Sequence, residues 1–152
     1  MLVNCTKEGM TTDFTANQFT ATKWEGADKK AAFAHQFIKF VEKSFAKSHF
    51  PNWFYTRLSM TFGHIAHYNR AGFFEEFFTT TEGKVRFLRM ALAHPCYGDP
   101  AWTYSDVERA LQKWLLEHGF LGEYENRLAQ EQEAGERAVL ARLQAKYQHQ
   151  PE

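Results

Sequence analysis

The sequence predicts an all-α protein: a single-domain bundle of five or six helices, with an irregular N-terminal arm and a protruding C-terminal helix. Three observations predict it. Apolar residues recur at three- and four-residue spacings in segment after segment, and no segment sustains the strict alternation of a half-buried strand. Pro and Gly fall between these segments and punctuate them. Two Ser/Thr-x-x-Glu stretches stand just before apolar runs, as capping boxes do. A chain of 152 residues fits one domain and can bury a core without disulfides. Its 15 phenylalanines make that core one of packed rings.

Residues 1–27 read as the arm. They are rich in Thr and small polar groups, with Phe14, Phe19 and Trp24 at no regular period. Such a segment has room for one short strand and pins its aromatics onto the body. The helical core domain spans 28–122. Asp28 is a suitable N-cap for a helix to about Ser48, in which Ala34, Phe37, Ile38, Val41 and Phe45 form one buried stripe. Phe50-Pro51 ends it. Asn52 can cap a second helix over about 53–69, with Phe54, Leu58, Phe62 and Ile65 inward. Gly72 opens a turn and a half in which Phe73, Phe74, Phe77 and Phe78 share one side and Glu75 and Glu76 the other.

Thr79-Thr80-Thr81-Glu82 has capping-box spacing and introduces a helix to about His94. Its core line is Val85, Leu88 and Leu92, and Glu82 and Arg86 stand in the favourable i,i+4 order. His94 to Trp102, with Pro95, Gly98 and Pro100, is a loop. Ser105-Asp106-Val107-Glu108 is the second capping box, leading to a helix with Val107, Leu111, Trp114 and Leu115 on one side. Gly119 is the left-handed residue after its end, with Phe120 folding back on the last turn. The final segment, 123–152, contains a charged helix to about Gln148. Its apolar residues between Leu128 and Val139 are alanines, so it has little to bury there; Val139, Leu140, Leu143 and Tyr147 restore an apolar patch near the end.

Composition narrows the function. Eighteen basic and eighteen acidic side chains cancel, which argues against a dedicated nucleic-acid coat. No run approaches the roughly 18 apolar residues of a membrane span. Two cysteines, Cys5 and Cys96, offer no disulfide framework, and a cytoplasmic home is expected. Lys7-Glu8-Gly9-Met10 is what a purine-rich ribosome-binding sequence before a start codon would encode. That reading implies translation from Met10 and a bacterial or phage source. Phosphate-binding glycine loops, His-Glu-x-x-His, Cys-x-x-Cys and Glu-x-x-His are all absent.

Two constellations remain. His64 and His67 are spaced to face one ion, and His94 or Cys96 would complete a zinc or iron site. On a helical wheel these two histidines lie about 120° and 180° from Leu58, beside Trp53 and Met60, so they are off the core stripe. Ordinary surface or satisfied histidines account for them, and no cofactor is expected. His94 is also too close to Cys96 in sequence, with no third group to orient it, to read as a thiol's base. The second constellation is basic. From Asp28 to Arg57, six basic residues stand against two acidic ones, a net of +4. Lys39, Lys43 and Lys47 share one ridge, which Arg86 and Arg89 would extend toward nucleic acid or an acidic protein.

Gly119-Phe120-Leu121 resembles the reversal before a wing, but no strand pattern follows. The expectation is a non-catalytic binding protein, an accessory or inhibitory subunit. It would use protein contacts or self-association through Val139, Leu140, Leu143 and Tyr147, with nucleic acid as a further partner. A metal-dependent enzyme built on His64 and His67, and a DNA-binding protein built on the basic ridge, are the alternatives.

Overall fold

A computed structural model describes residues 14–62, 69–93 and 98–148. Among these residues it holds six α-helices and no strand: α1 (Ala27–Glu42), α2 (Asn52–Thr61), α3 (Arg70–Phe77), α4 (Thr81–Ala93), α5 (Ser105–Glu117) and α6 (Phe120–Gln148). The all-α bundle follows from the periodicity. Rings fill its centre: Phe33, Phe37, Phe40, Phe54, Phe62 and Phe87 are wholly buried, and Phe40 meets Phe78 edge-on at 4.9 Å between centroids. Edge-on and tilted pairs dominate because the negative ring face attracts a positive ring edge.

The helix boundaries depart from the periodic reading at several points. α1 stops at Glu42 rather than Ser48. The N–H of Ser44 donates to Val41 O and that of Phe45 to Phe40 O, the paired bonds of a Schellman ending. Ser44 and Phe45 both have left-handed backbone, at φ 60° and 59°. Such a conformation costs a non-glycine residue roughly 1–2 kcal/mol. Burial offsets it: Phe45 is 1% exposed and stacks on Phe78 at 5.2 Å. Phe45 is therefore a core residue, as its spacing implies, but a chain reversal rather than another helical turn puts it there.

Capping shifts similarly. Helix α1 begins after Gly26, α2 after Pro51 and α5 after Tyr104, so Asp28, Asn52 and Ser105 lie inside first turns. Asn69 caps α3, its Oδ1 accepting the Gly72 N–H at 2.6 Å. Thr80, not Thr79, serves α4 by accepting the Gly83 N–H at 3.0 Å, while the Thr79 hydroxyl donates back to Glu75 O. A Cβ at Gly83 would lie 2.8 Å from Glu76 O and 2.9 Å from Phe77 O. Only glycine lets α4 cross so close to the end of α3. Gly119, at φ +67°, does turn the chain, and Phe120 returns to 5.0 Å from the Trp114 ring. Helix α6 starts at once, three residues before its expected start, and no wing forms.

The arm makes a short 3-10 turn at Ala16–Gln18 and docks Phe19 into the core at 9% exposure. Trp24, expected to be pinned, is 70% exposed. Helix α6 runs antiparallel to α4, held by Arg89 to Glu125 at 3.0 Å and by the Thr81 hydroxyl to Glu131 at 2.8 Å. No described helix is long and apolar enough to cross a membrane.

Candidate functional site

The part of the molecule least explained by folding is the end of α6. Tyr124 is buried at the helix start and Leu128 packs against the core, but every residue from Ala129 to Gln148 is exposed. Glu131 still reaches the body through Thr81, so at 1.5 Å per residue about 25 Å of helix beyond it has nothing beneath. It still carries large apolar side chains: Val139 is 46% exposed, Leu140 55%, Leu143 39% and Tyr147 61%. A shallow groove lies between Gln132, Gly135, Glu136, Val139, Leu140 and Leu143. Along the helix, Glu123–Arg127 and Glu133–Arg137 form the i,i+4 pairs their spacing predicts, at 3.0 Å and 2.6 Å. Exposed pairs of this kind hold a helix together but supply little net stability.

The basic residues do not stand as one surface. Lys39, Lys43 and Lys47 are all exposed. However, α1 ends before Lys43, so the three do not share a helical ridge. Lys47 follows the reversal, with its ammonium 5.9 Å from the Phe74 ring centroid. Arg86 bridges to Glu76 at 3.0 Å, not to Glu82, and lies over Phe77. Arg89 is taken by Glu125. Lys30, counted in the positive balance, is wholly buried against Asp106, and Arg57 is bound by Glu25. Carboxylates thus neutralise four of these cations. The suggested metal ligands His64, His67, His94 and Cys96 all lie outside the described residues. Among the described residues no cluster of three or more His, Cys, Asp or Glu side chains could hold a metal.

Sequence reasoning missed a polar network between the arm, α1, α2 and α5. The Tyr104 hydroxyl donates to Glu25 Oε1 at 2.6 Å, and Arg57 bonds the other Glu25 oxygen. Next to it, Lys30 Nζ donates to Asp106 Oδ1 and to Pro100 O, each at 2.9 Å, and Asp106 Oδ2 accepts the Thr20 N–H. One residue before Glu25 and two before Tyr104, Trp24 and Trp102 meet edge-on at 5.5 Å, with Lys23 4.6 Å from the Trp102 centroid. Trp53 and Met60, off the core stripe of α2, are exposed. The partners within the network lie 32 to 86 residues apart, beyond the reach of local spacing.

Burial, and then the bond to Glu25, pushes the Tyr104 hydroxyl up to about 12, with Arg57 opposing. At neutral pH the folded and unfolded chains both keep this proton, so its titration adds nothing to stability. Above pH 10 the unfolded chain releases it while the folded chain still holds it, and stability falls as pH rises toward 12. The loss should reach about 2–3 kcal/mol. Urea unfolding of the native chain and Tyr104→Phe, at pH near 9 and near 11.5, checks this. The native chain should lose stability relative to the variant between the two conditions; a constant difference contradicts the assignment.

No family model, no curated protein and no solved structure matches the chain.

Proposed function

We propose that the protein is a non-catalytic binding protein, an accessory or inhibitory subunit that works through protein contacts, and that the free end of α6 recruits it into an assembly. The observation that carries this reading is the exposed apolar patch Val139, Leu140, Leu143 and Tyr147 on a helix with no body beneath it. Contiguous exposed apolar side chains mark contact surfaces. The network of Glu25, Arg57 and Tyr104 has a structural account, since each group is satisfied by the others and ties the arm to the bundle. The paired state of Arg86 and Arg89 leaves Lys39, Lys43 and Lys47 a weak platform for nucleic acid, and we place no function on them.

The test is native-extract gel filtration of the tagged full chain and of a chain ending at residue 131. The full chain should elute in a species larger than one subunit. The shortened chain, whose body contacts are kept, should elute alone. Identical elution of both would remove α6 as the recruiting element.

A further inference from the structure

We infer that the occupant of the free α6 face is a second copy of this chain, laid antiparallel across it with the two-fold axis at Val139. This deepens the proposal above and rests on its assignment of the α6 patch as a contact surface. The charges favour this occupant. Before Val139 stand Glu131, Glu133 and Glu136 with one base, Arg137, already paired to Glu133; after it stand Arg142 and Lys146. A parallel copy would set like charge against like, whereas an antiparallel copy sets each acidic half against the other's basic half. Among the described residues neither Glu136 nor Arg142 has an ion-pair partner within the chain. They lie three positions before and three after Val139, so the axis brings each level with the other along the pair, on either flank of Val139. That self-complementarity is what an isologous interface requires.

The shapes agree with the same axis. Gly135 lies four positions before Val139 and Leu143 four after it. A side chain at Gly135 would meet nothing within 4 Å, and that gap is part of the groove lined by Gln132, Glu136, Val139 and Leu140. Glycine inside an exposed helix is otherwise disfavoured. Opposite the partner's Leu143 it becomes the hole for a side-chain knob, as in paired helices generally. The four apolar residues fall within about 100° of arc, one face of the helix. The pairing would place the two bodies at opposite ends of a shared helical spine.

The experiment uses the purified full chain. Light scattering from low to several hundred micromolar should show a dimer that dissociates on dilution and weakens with salt. Leu143→Asp, which faces no part of the body, should give a monomer at every concentration while retaining the near-UV circular dichroism of the aromatic core. Glu136→Arg alone and Arg142→Glu alone should each weaken dimerisation about tenfold or more, and the two together should restore it. In a chain with Cys5 and Cys96 replaced by Ser, Val139→Cys should form a disulfide dimer on oxidation. Tyr147→Cys should not, because the two positions would lie about 24 Å apart along an antiparallel pair. Equal cross-linking from both positions, or no charge-swap rescue, overturns the antiparallel register. A monomer throughout overturns the self-pairing, while retention of a large α6-dependent species in extract would still support the recruitment reading.

Discussion

Replacement of Phe87 by Ala is expected to remove about 3–5 kcal/mol of stability. Phe87 is wholly buried on α4. Its ring meets those of Phe37, Phe45, Phe62, Phe73, Phe77 and Phe78, the nearest at 5.0 Å. These neighbours come from α1, its reversal, the end of α2, and α3 with the residue after it. None can move far into the space left by the ring, because each is wedged by others: Phe45 against Phe78, and Phe37 against Phe33. The cavity therefore stays open and its lining loses contacts outright. Domains of this size hold only about 5–15 kcal/mol in total, so the variant should melt roughly 6–20 °C lower. Phe87→Leu should cost far less because most of the volume is kept. Trp24→Ala, at 70% exposure, serves as the contrast and should shift the melt little. Thermal and guanidinium unfolding of the three variants decides the matter; a Phe87→Ala loss no larger than that of Trp24→Ala would mean that the rings pack loosely.

Much of this core can be read from spacing alone. Ala34, Phe37, Ile38 and Val41, then Phe54, Leu58 and Phe62, then Val85 and Leu88, then Val107, Leu111, Trp114 and Leu115 are all buried, each on the expected stripe. Helical period is a local property, and burial follows it. The ends of helices were less legible because they are decided by contacts made elsewhere. Phe45 continues the stripe of α1 in sequence, yet its pocket between Phe78 and Tyr124 is reached only by leaving the helix. Thr79 and Thr80 are chemically alike, and the choice between them depends on how closely α4 crosses α3 at Gly83.

The candidate contact surface was legible for a related reason: an apolar end on a helix whose middle carries only charges, polar groups and alanines has no partner nearby in sequence, and none arrives from the body. The ion pairs were legible only where they are local. Glu133–Arg137 forms as spaced, but Arg86 prefers Glu76, which is offered by the neighbouring helix and already shares its backbone carbonyl with the same guanidinium. Lys30 shows the limit most clearly. By composition it is one more surface cation; in the fold it is 0% exposed and bound 76 residues away.

That burial makes Lys30→Met the second large effect expected. Methionine fills the space of the stem, so little packing is lost, but Asp106 is left as a charge at 15% side-chain exposure without its counter-ion. Removing one member of a buried pair typically costs about 3–5 kcal/mol. Part of that cost comes from the stranded charge itself, and a second substitution can isolate it. Asp106→Asn removes the charge and keeps an oxygen that can still accept the Thr20 N–H. Combined with Lys30→Met, it should recover at least about 1–2 kcal/mol relative to the sum of the single losses. Unfolding by guanidinium supplies the four stabilities of the cycle, and strict additivity would show that the two groups are not coupled. Hydrogen exchange supplies the location. The Lys30 ammonium also holds Pro100 O, and Asp106 holds the arm at Thr20, so the single variant should loosen the arm and the 98–104 segment together. Loss of protection spread evenly over all six helices would instead mark a global weakening, in which the pair is only one more contact of the bundle.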